Sequence, residues 1–146
     1  MRNIDTIVVH CSDSLWGNSE VIDGWHRQRG WKEIGYHYVI GNGYPTLLSF
    51  KNKFPEVELD GKVESGRNLK IPGAHVRGHN FTSIGICLIG KQTFTSKQIA
   101  SLLSLIGAIV ETKNLCPDGV QVFGHHELDK KKSCPNLDMH KIRDLV

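Results

Sequence analysis

Residues 4–11 read Ile-Asp-Thr-Ile-Val-Val-His-Cys, a run that is rich in β-branched residues and nearly all apolar toward its end. Such a run predicts a buried β-strand that ends at His10 or Cys11. Residues 83–90, Ser-Ile-Gly-Ile-Cys-Leu-Ile-Gly, predict a central strand of the same sheet. These two runs are the basis for predicting a β-sheet.

Helical patterns alternate with the strands. Ser19 is expected to be the N-cap of a helix over residues 20–29. Thr95 and Gln98 form a capping box ahead of a longer helix with one apolar face. Further strands are predicted at residues 35–40, 62–65 and 120–123, and a short helix at residues 138–146. The alternation indicates an α/β fold, a sheet packed by helices.

Two stretches show no regular pattern. Residues 41–62 carry three glycines and two prolines and predict a long loop, with a small hairpin formed by residues 46–50 and 57–59. Residues 66–80 predict a second irregular stretch. Loops of this length are often functional or mobile.

Length and charge restrict the classes of function. The 146 residues correspond to one domain, and 18 basic against 15 acidic residues give a formal charge of +3. That charge is smaller than a dedicated nucleic-acid binder is expected to have. No apolar run approaches the roughly 18 residues needed to cross a bilayer. No export signal is predicted, because Asp5 and His10 interrupt the N-terminal apolar run, so the four cysteines are expected to be free thiols or metal ligands.

Two histidines and one cysteine form a candidate metal site. His10 and His125 each come at the end of a predicted strand, and Cys134 follows His125 by nine positions. Two imidazoles and a thiolate suit Zn²⁺, and three protein ligands leave a fourth position for water, as in catalytic sites. The alternative is structural: a buried His10 in the core and a His125 on the surface.

Six short motifs then resemble a known family. In order along residues 4–140, they are Val-Val-His-Cys-Ser (8–12), Gly-Tyr-His-Tyr (35–38), Ala-His-Val-Arg-Gly-His-Asn (74–80), Ser-Ile-Gly-Ile (83–86), Gly-His-His-Glu (124–127) and Lys-Ser-Cys-Pro (132–135). Together they resemble the zinc-dependent N-acetylmuramoyl-L-alanine amidases of the amidase-2 family, which includes phage lysozymes of the amidase type and peptidoglycan recognition proteins. The order of the motifs makes the resemblance specific, although each motif alone is weak.

The resemblance implies a single domain with a central mixed sheet flanked by helices and one Zn²⁺ in a surface groove. It implies hydrolysis of the amide bond between N-acetylmuramic acid and L-alanine in peptidoglycan. The implied metal ligands are His10, His125 and Cys134. Tyr36 matches the family tyrosine that faces the water at the metal, and Lys132 matches the lysine that supports the developing oxyanion.

Other residues carry less specific expectations. His75 is expected to contact the substrate or the reacting centre, and Asn80 to hydrogen-bond saccharide or peptide. Lys130 and Lys131 compete with Lys132 for the lysine role, because the loop before Cys134 is often one residue shorter in the family. Residues 41–60 are longer than the hairpin usual in the family, so this insertion either walls one side of the groove or is a plain surface loop.

Two other functions compete with hydrolysis by an amidase. Some family members lack the thiolate ligand and only bind peptidoglycan, but Cys134 argues against that function here. One phage member also binds its own RNA polymerase, and nothing in this sequence indicates such a surface. The expected protein is a monomeric phage or prophage endolysin, made in the cytoplasm and acting on the cell wall after release.

Overall fold

A mixed β-sheet is the centre of the computed structural model, which describes residues 2–146. The strands are β1 (Thr6–Cys11), β2 (Tyr38–Asn42), β3 (Asp60–Ser65), β4 (Ser83–Leu88) and β5 (Gln121–Gly124). The helices are α1 (Ser19–Gln28), α2 (Leu47–Lys51), α3 (Ser96–Val110), α4 (His125–Leu128) and α5 (Met139–Leu145). The predicted α/β class is thereby confirmed.

The strand order is β3-β2-β4-β1-β5. β4 pairs in parallel with both β1 and β2, β5 pairs in parallel with β1, and only the edge strand β3 is antiparallel to its neighbour. The expected central strand at residues 83–90 is thus confirmed. Parallel pairing also brings the carboxyl ends of β1, β4 and β5 to the same edge of the sheet.

Apolar side chains cover both faces of the sheet. On one face, Ile84, Ile86 and Leu88 of β4 belong to the larger apolar cluster, which includes buried residues of α3 and α5. On the other face, Cys87 belongs to a smaller cluster that includes Ile22 of α1. Strand side chains alternate between faces, so a strand buried on both faces must be apolar at nearly every position. Within residues 2–146, no helix has the length and apolar character needed to span a bilayer.

Hydrogen bonds from side chains set the helix starts. Thr95 and Gln98 form the predicted capping box of α3. The N-cap of α1 is Asn18, whose side chain accepts from the backbone N–H of Val21 at 2.8 Å, so the assignment of this cap to Ser19 was wrong by one residue. Asn and Ser are similarly good N-cap residues. Asn18 is the N-cap because its backbone is extended, as this position requires, whereas Ser19 is already the first residue of the helix.

The hairpin predicted within residues 41–60 is wrong. Leu47–Lys51 form α2 instead, and Val57–Leu59 form one turn of 3₁₀ helix. Thr46 and Ser49 cap the start of α2 reciprocally, and these local bonds outweigh the β propensity of the apolar residues. The segment packs on the loop after β1, since the backbone N–H of Gly17 donates to the carbonyl of Tyr44 at 2.8 Å.

The second strand begins later than residues 35–40 predicted. β2 spans Tyr38–Asn42, and Gly35 to His37 form an irregular segment ahead of it. A Cβ at Gly35 would lie 2.2 Å from the backbone oxygen of Ala74, so the chain from another part of the fold crosses here. The residues around Gly35 do not predict this contact, and with it the strand begins at Tyr38 instead of residue 35.

Replacing Gln98 with alanine is expected to destabilise the fold by about 1–3 kcal/mol. Gln98 is fully buried, and its Nε2 donates to the carbonyls of Ile40 (3.1 Å) and Ile89 (2.8 Å), which would lose this donor. Chemical denaturation of Gln98→Ala would measure the loss, with the exposed Gln92→Ala as the matched control. Equal free energies of unfolding for both variants would contradict the prediction.

Candidate functional site

Strand pairing places two histidines side by side. Val9 of β1 pairs with Gly124 of β5, so the next residues, His10 and His125, are neighbours across the sheet edge. Their ring centroids are 4.7 Å apart. His125 begins α4, and the carboxylate of Glu127 accepts from the backbone N–H of Gly124 at 2.9 Å. The short helix therefore fixes the backbone that carries the second histidine.

Cys134 completes a cluster with the two histidines. One ligand atom from each of His10, His125 and Cys134 lies within 4.8 Å of the other two. Cys134 Sγ accepts from the backbone N–H of Cys11 at 3.0 Å, and its carbonyl accepts from the backbone N–H of His126 at 2.9 Å. The three predicted ligands thus converge into a candidate metal site.

Burial keeps the two imidazoles neutral. His10 is 1% exposed, and burial, with His75 and His125 nearby, holds its pKa well below the usual range. Burial also lowers the pKa of His125. A neutral imidazole carries a free lone pair, which is the form that binds a metal ion. Both histidines are therefore in the form that binds a metal ion, whereas the hydrogen bond with Cys11 and burial raise the pKa of Cys134, so this thiol would lose its proton on binding the metal.

Tyr36 lies beside the cluster. Its ring centroid is 4.9 Å from that of His10. The residues on either side are anchored, because His26 Nδ1 accepts from the N–H of Gly35 at 2.9 Å and the N–H of His37 donates to the carbonyl of Gly85 at 2.9 Å. Burial raises the pKa of Tyr36 well above its usual value, and nearby thiols add to the effect. The hydroxyl therefore stays protonated and can donate a hydrogen bond.

The cluster opens into a groove of about 710 Å³. Lys131 and Lys132 line this groove, whereas Lys130 is not among the lining residues. No residue of 41–60 lines it either, so in the structure the insertion contacts the loop after β1 and does not form a wall of the groove. The geometry thus leaves two of the three candidate lysines at the groove.

His75 and Asn80 also line the groove, but their hydrogen bonds are made to other groups of the protein. His75 Nδ1 is 2.8 Å from His10 Nε2. Asn80 Oδ1 accepts from the backbone N–H groups of His75 and Val76 at 2.8 and 2.9 Å. The amide oxygen of Asn80 is therefore engaged by the turn, and the substrate role expected for both residues stays a prediction.

The sequence interpretation did not identify several groove residues. Arg29 and Trp31 line the groove, with the guanidinium 6.0 Å from the ring centroid, and Arg77 and Asp13 line it elsewhere. Arg77 lies inside the motif at residues 74–80, and this position is the signal that could have identified it from the sequence. Arg29 and Trp31 follow α1 with no motif, so only the tertiary structure brings them to the groove.

Comparison with known proteins agrees with the site. The family model described as N-acetylmuramoyl-L-alanine amidase matches residues 1–137. The endolysin of Escherichia phage T7 is 31% identical over 96% of this chain and 85% of its own length, and that of Enterobacteria phage K11 is 32% identical over 91% and 81%. A solved N-acetylmuramoyl-L-alanine amidase of Clostridium intestinale superposes with a TM-score of 0.77 at 25% identity, covering 98% of this chain and 85% of that one. With the fold, the groove and the motifs in agreement, this chain belongs to the N-acetylmuramoyl-L-alanine amidase family.

Proposed function

We propose that this chain is a zinc-dependent endolysin that hydrolyses the amide bond between N-acetylmuramic acid and L-alanine in peptidoglycan. The observation that carries the proposal is the convergence of His10, His125 and Cys134 beside the groove. Two imidazole nitrogens and one thiolate are donors that Zn²⁺ accepts, and the three ligand atoms lie within 4.8 Å of one another. Three protein ligands leave room for a reacting molecule, as a catalytic site requires.

A bound Zn²⁺ would supply Lewis acidity that activates water and polarises the amide carbonyl. The protein's own contribution is charge and orientation. Lys132 places an ammonium at the groove, where it can stabilise the negative charge that develops on the carbonyl oxygen. Tyr36, held protonated beside His10, can donate a hydrogen bond to the attacking oxygen. Arg29, Trp31 and Arg77 offer cationic and aromatic surface to the sugar and peptide.

Zinc content and the chemistry of the product test this proposal together. The protein would be purified without chelator, its zinc quantified, and purified peptidoglycan digested and examined by mass spectrometry. One zinc per chain with new L-alanine amino termini is the expected result. Zinc binding without cleavage would instead favour a peptidoglycan-binding module, and new reducing sugar ends would indicate a glycosidase.

Replacing Tyr36 with phenylalanine is expected to lower kcat by roughly 10²-fold with zinc content unchanged. The substitution removes only the hydroxyl, and the ring still packs beside His10. Tyr44→Phe is the matched control, because Tyr44 packs on Phe50 in the 41–60 segment and does not line the groove. Loss of zinc from Tyr36→Phe would show a structural role instead.

We also propose that the protein acts on the cell wall after release from the cytoplasm, as a monomer. The similarity to two proteins named as phage endolysins supports the site of action, and the monomer is the expectation from the sequence. Sedimentation of the purified protein would report its oligomeric state. Stable dimers at micromolar concentration would contradict the proposed monomer.

A further inference from the structure

His75 occupies a position that the proposed chemistry does not explain. It lies in the irregular segment between β3 and β4, and it contacts other side chains through both ring nitrogens. Nδ1 is 2.8 Å from His10 Nε2, and Nε2 is 3.1 Å from the Ser83 hydroxyl. Three polar side chains therefore form a line that runs from the metal cluster into the sheet.

The donors and acceptors along this line can be assigned. A neutral imidazole has one nitrogen that donates and one that accepts. Because His10 Nε2 faces His75, His10 Nδ1 is the nitrogen left with a lone pair for a metal ion. His10 Nε2 then carries the hydrogen and donates to His75 Nδ1, and His75 Nε2 donates to the oxygen of Ser83. No other assignment leaves both histidines neutral and His10 Nδ1 free.

We propose that His75 is a positioning residue that fixes the tautomer and ring orientation of His10, so that His10 Nδ1 faces the metal site. Outer partners of this kind orient metal-binding histidines and increase their basicity. This inference rests on the proposed metal site and extends it. It replaces direct contact with substrate as the main role of His75.

The surroundings of His75 are shaped to hold its ring. A Cβ at Gly85 would lie 2.7 Å from His75 Cγ, and a Cβ at Gly73 would lie 2.5 Å from His75 Cδ2. Neither glycine has a positive φ, so space is the reason that a side chain is excluded: at Gly85 the imidazole of His75 takes that space, and at Gly73 the imidazole shares it with the backbone oxygen of Gly35. Asn80 holds the backbone of the same residue through two hydrogen bonds. The ring is thus held by close contacts with two glycines, and its backbone is held by Asn80.

Zinc affinity, measured by competition with a chromophoric chelator, tests the inference without depending on hydrolysis. His75→Ala removes the acceptor and is expected to weaken zinc binding by about 10–100-fold. His75→Asn retains an amide oxygen in place of Nδ1 and is expected to recover most of the affinity. His79→Ala is the matched control, because His79 is exposed in the same segment and does not line the groove.

Two further measurements separate positioning from folding. The absorption spectrum of the Co²⁺-loaded protein should change in His75→Ala and not in His79→Ala, because it reports ligand geometry. Gly85→Ala, which displaces the ring without altering His75, should weaken zinc binding as well, while Gly107→Ala, with open space around its Cβ, should not. Thermal unfolding of the metal-free variants identifies any that fail to fold, and His75→Asn then decides the question.

Wild-type zinc affinity in His75→Ala, with KM raised, would overturn the inference and indicate a substrate contact. Wild-type protein that binds zinc without cleaving peptidoglycan would overturn the proposed function and leave the affinity differences as support for positioning. Wild-type protein that binds no zinc would overturn both. The failure of one proposal is therefore distinguishable from the failure of the other.

Discussion

Cys134→Ala is expected to lose its zinc and to reduce hydrolysis of peptidoglycan to the background rate. Cys134 is the only residue of the cluster that can supply an anionic donor, as the thiolate formed on metal binding, and two imidazoles alone make an incomplete site. The loss of affinity should exceed the roughly 10–100-fold that removal of an outer hydrogen-bond partner causes. Elemental analysis after dialysis and mass spectrometry of the digest would measure both effects.

Cys116→Ala is the matched control for this variant. It makes the same chemical change at a thiol that is 1% exposed and packed in the core, outside the metal cluster. It should retain one zinc per chain and the wild-type rate, with only a modest decrease in stability. Full zinc content and full activity in Cys134→Ala would remove this residue from the ligand set and, with it, the proposed site.

Lys132→Ala is expected to lower kcat by about 10²–10³-fold while zinc content stays at the wild-type level. Lys132 lines the groove, and the role proposed for its ammonium is to stabilise negative charge that exists only as the amide is attacked. An interaction made only in the transition state affects kcat more than KM. Steady-state kinetics on a soluble muramyl peptide would separate the two constants.

The neighbouring lysines provide the controls. Lys130→Ala makes the same change in the same loop, but Lys130 does not line the groove, so its kcat should match that of wild type. Lys131 lines the groove and serves as the competing assignment. A larger loss in Lys131→Ala than in Lys132→Ala would transfer the catalytic role to Lys131 and show that the alignment back from Cys134 is wrong.

The elements that could be predicted are those with strong local signals. β1 and β4 are composed mainly of apolar residues, several of them β-branched, and α3 has both a capping box and one apolar face. These signals come from neighbours in the chain, so they hold whatever the rest of the fold does. The hairpin in residues 41–60 was predicted from composition alone, and the reciprocal cap of Thr46 and Ser49 produces a helix there.

The three candidate ligands could be predicted from the sequence, because their residue types and the order of the six motifs in the chain carry the family resemblance. Local sequence patterns could not predict that the three side chains lie close together, because His10 and Cys134 are more than a hundred positions apart. Parallel pairing of β1 with β5 brings His10 next to His125, and the bond from the Cys11 amide holds Cys134 against them.

The sequence by itself determined an α/β fold, a family and three metal-binding residue types, since each of these depends on residue identity and local order. Only the tertiary structure decided which nitrogen of His10 is free, which lysines reach the groove and what His75 contacts. Those features depend on side-chain directions and on contacts between distant segments. The packing of His75 against Gly85 shows the reason: the two residues are ten positions apart, on a loop and on β4, and only the folded protein places the ring against the strand.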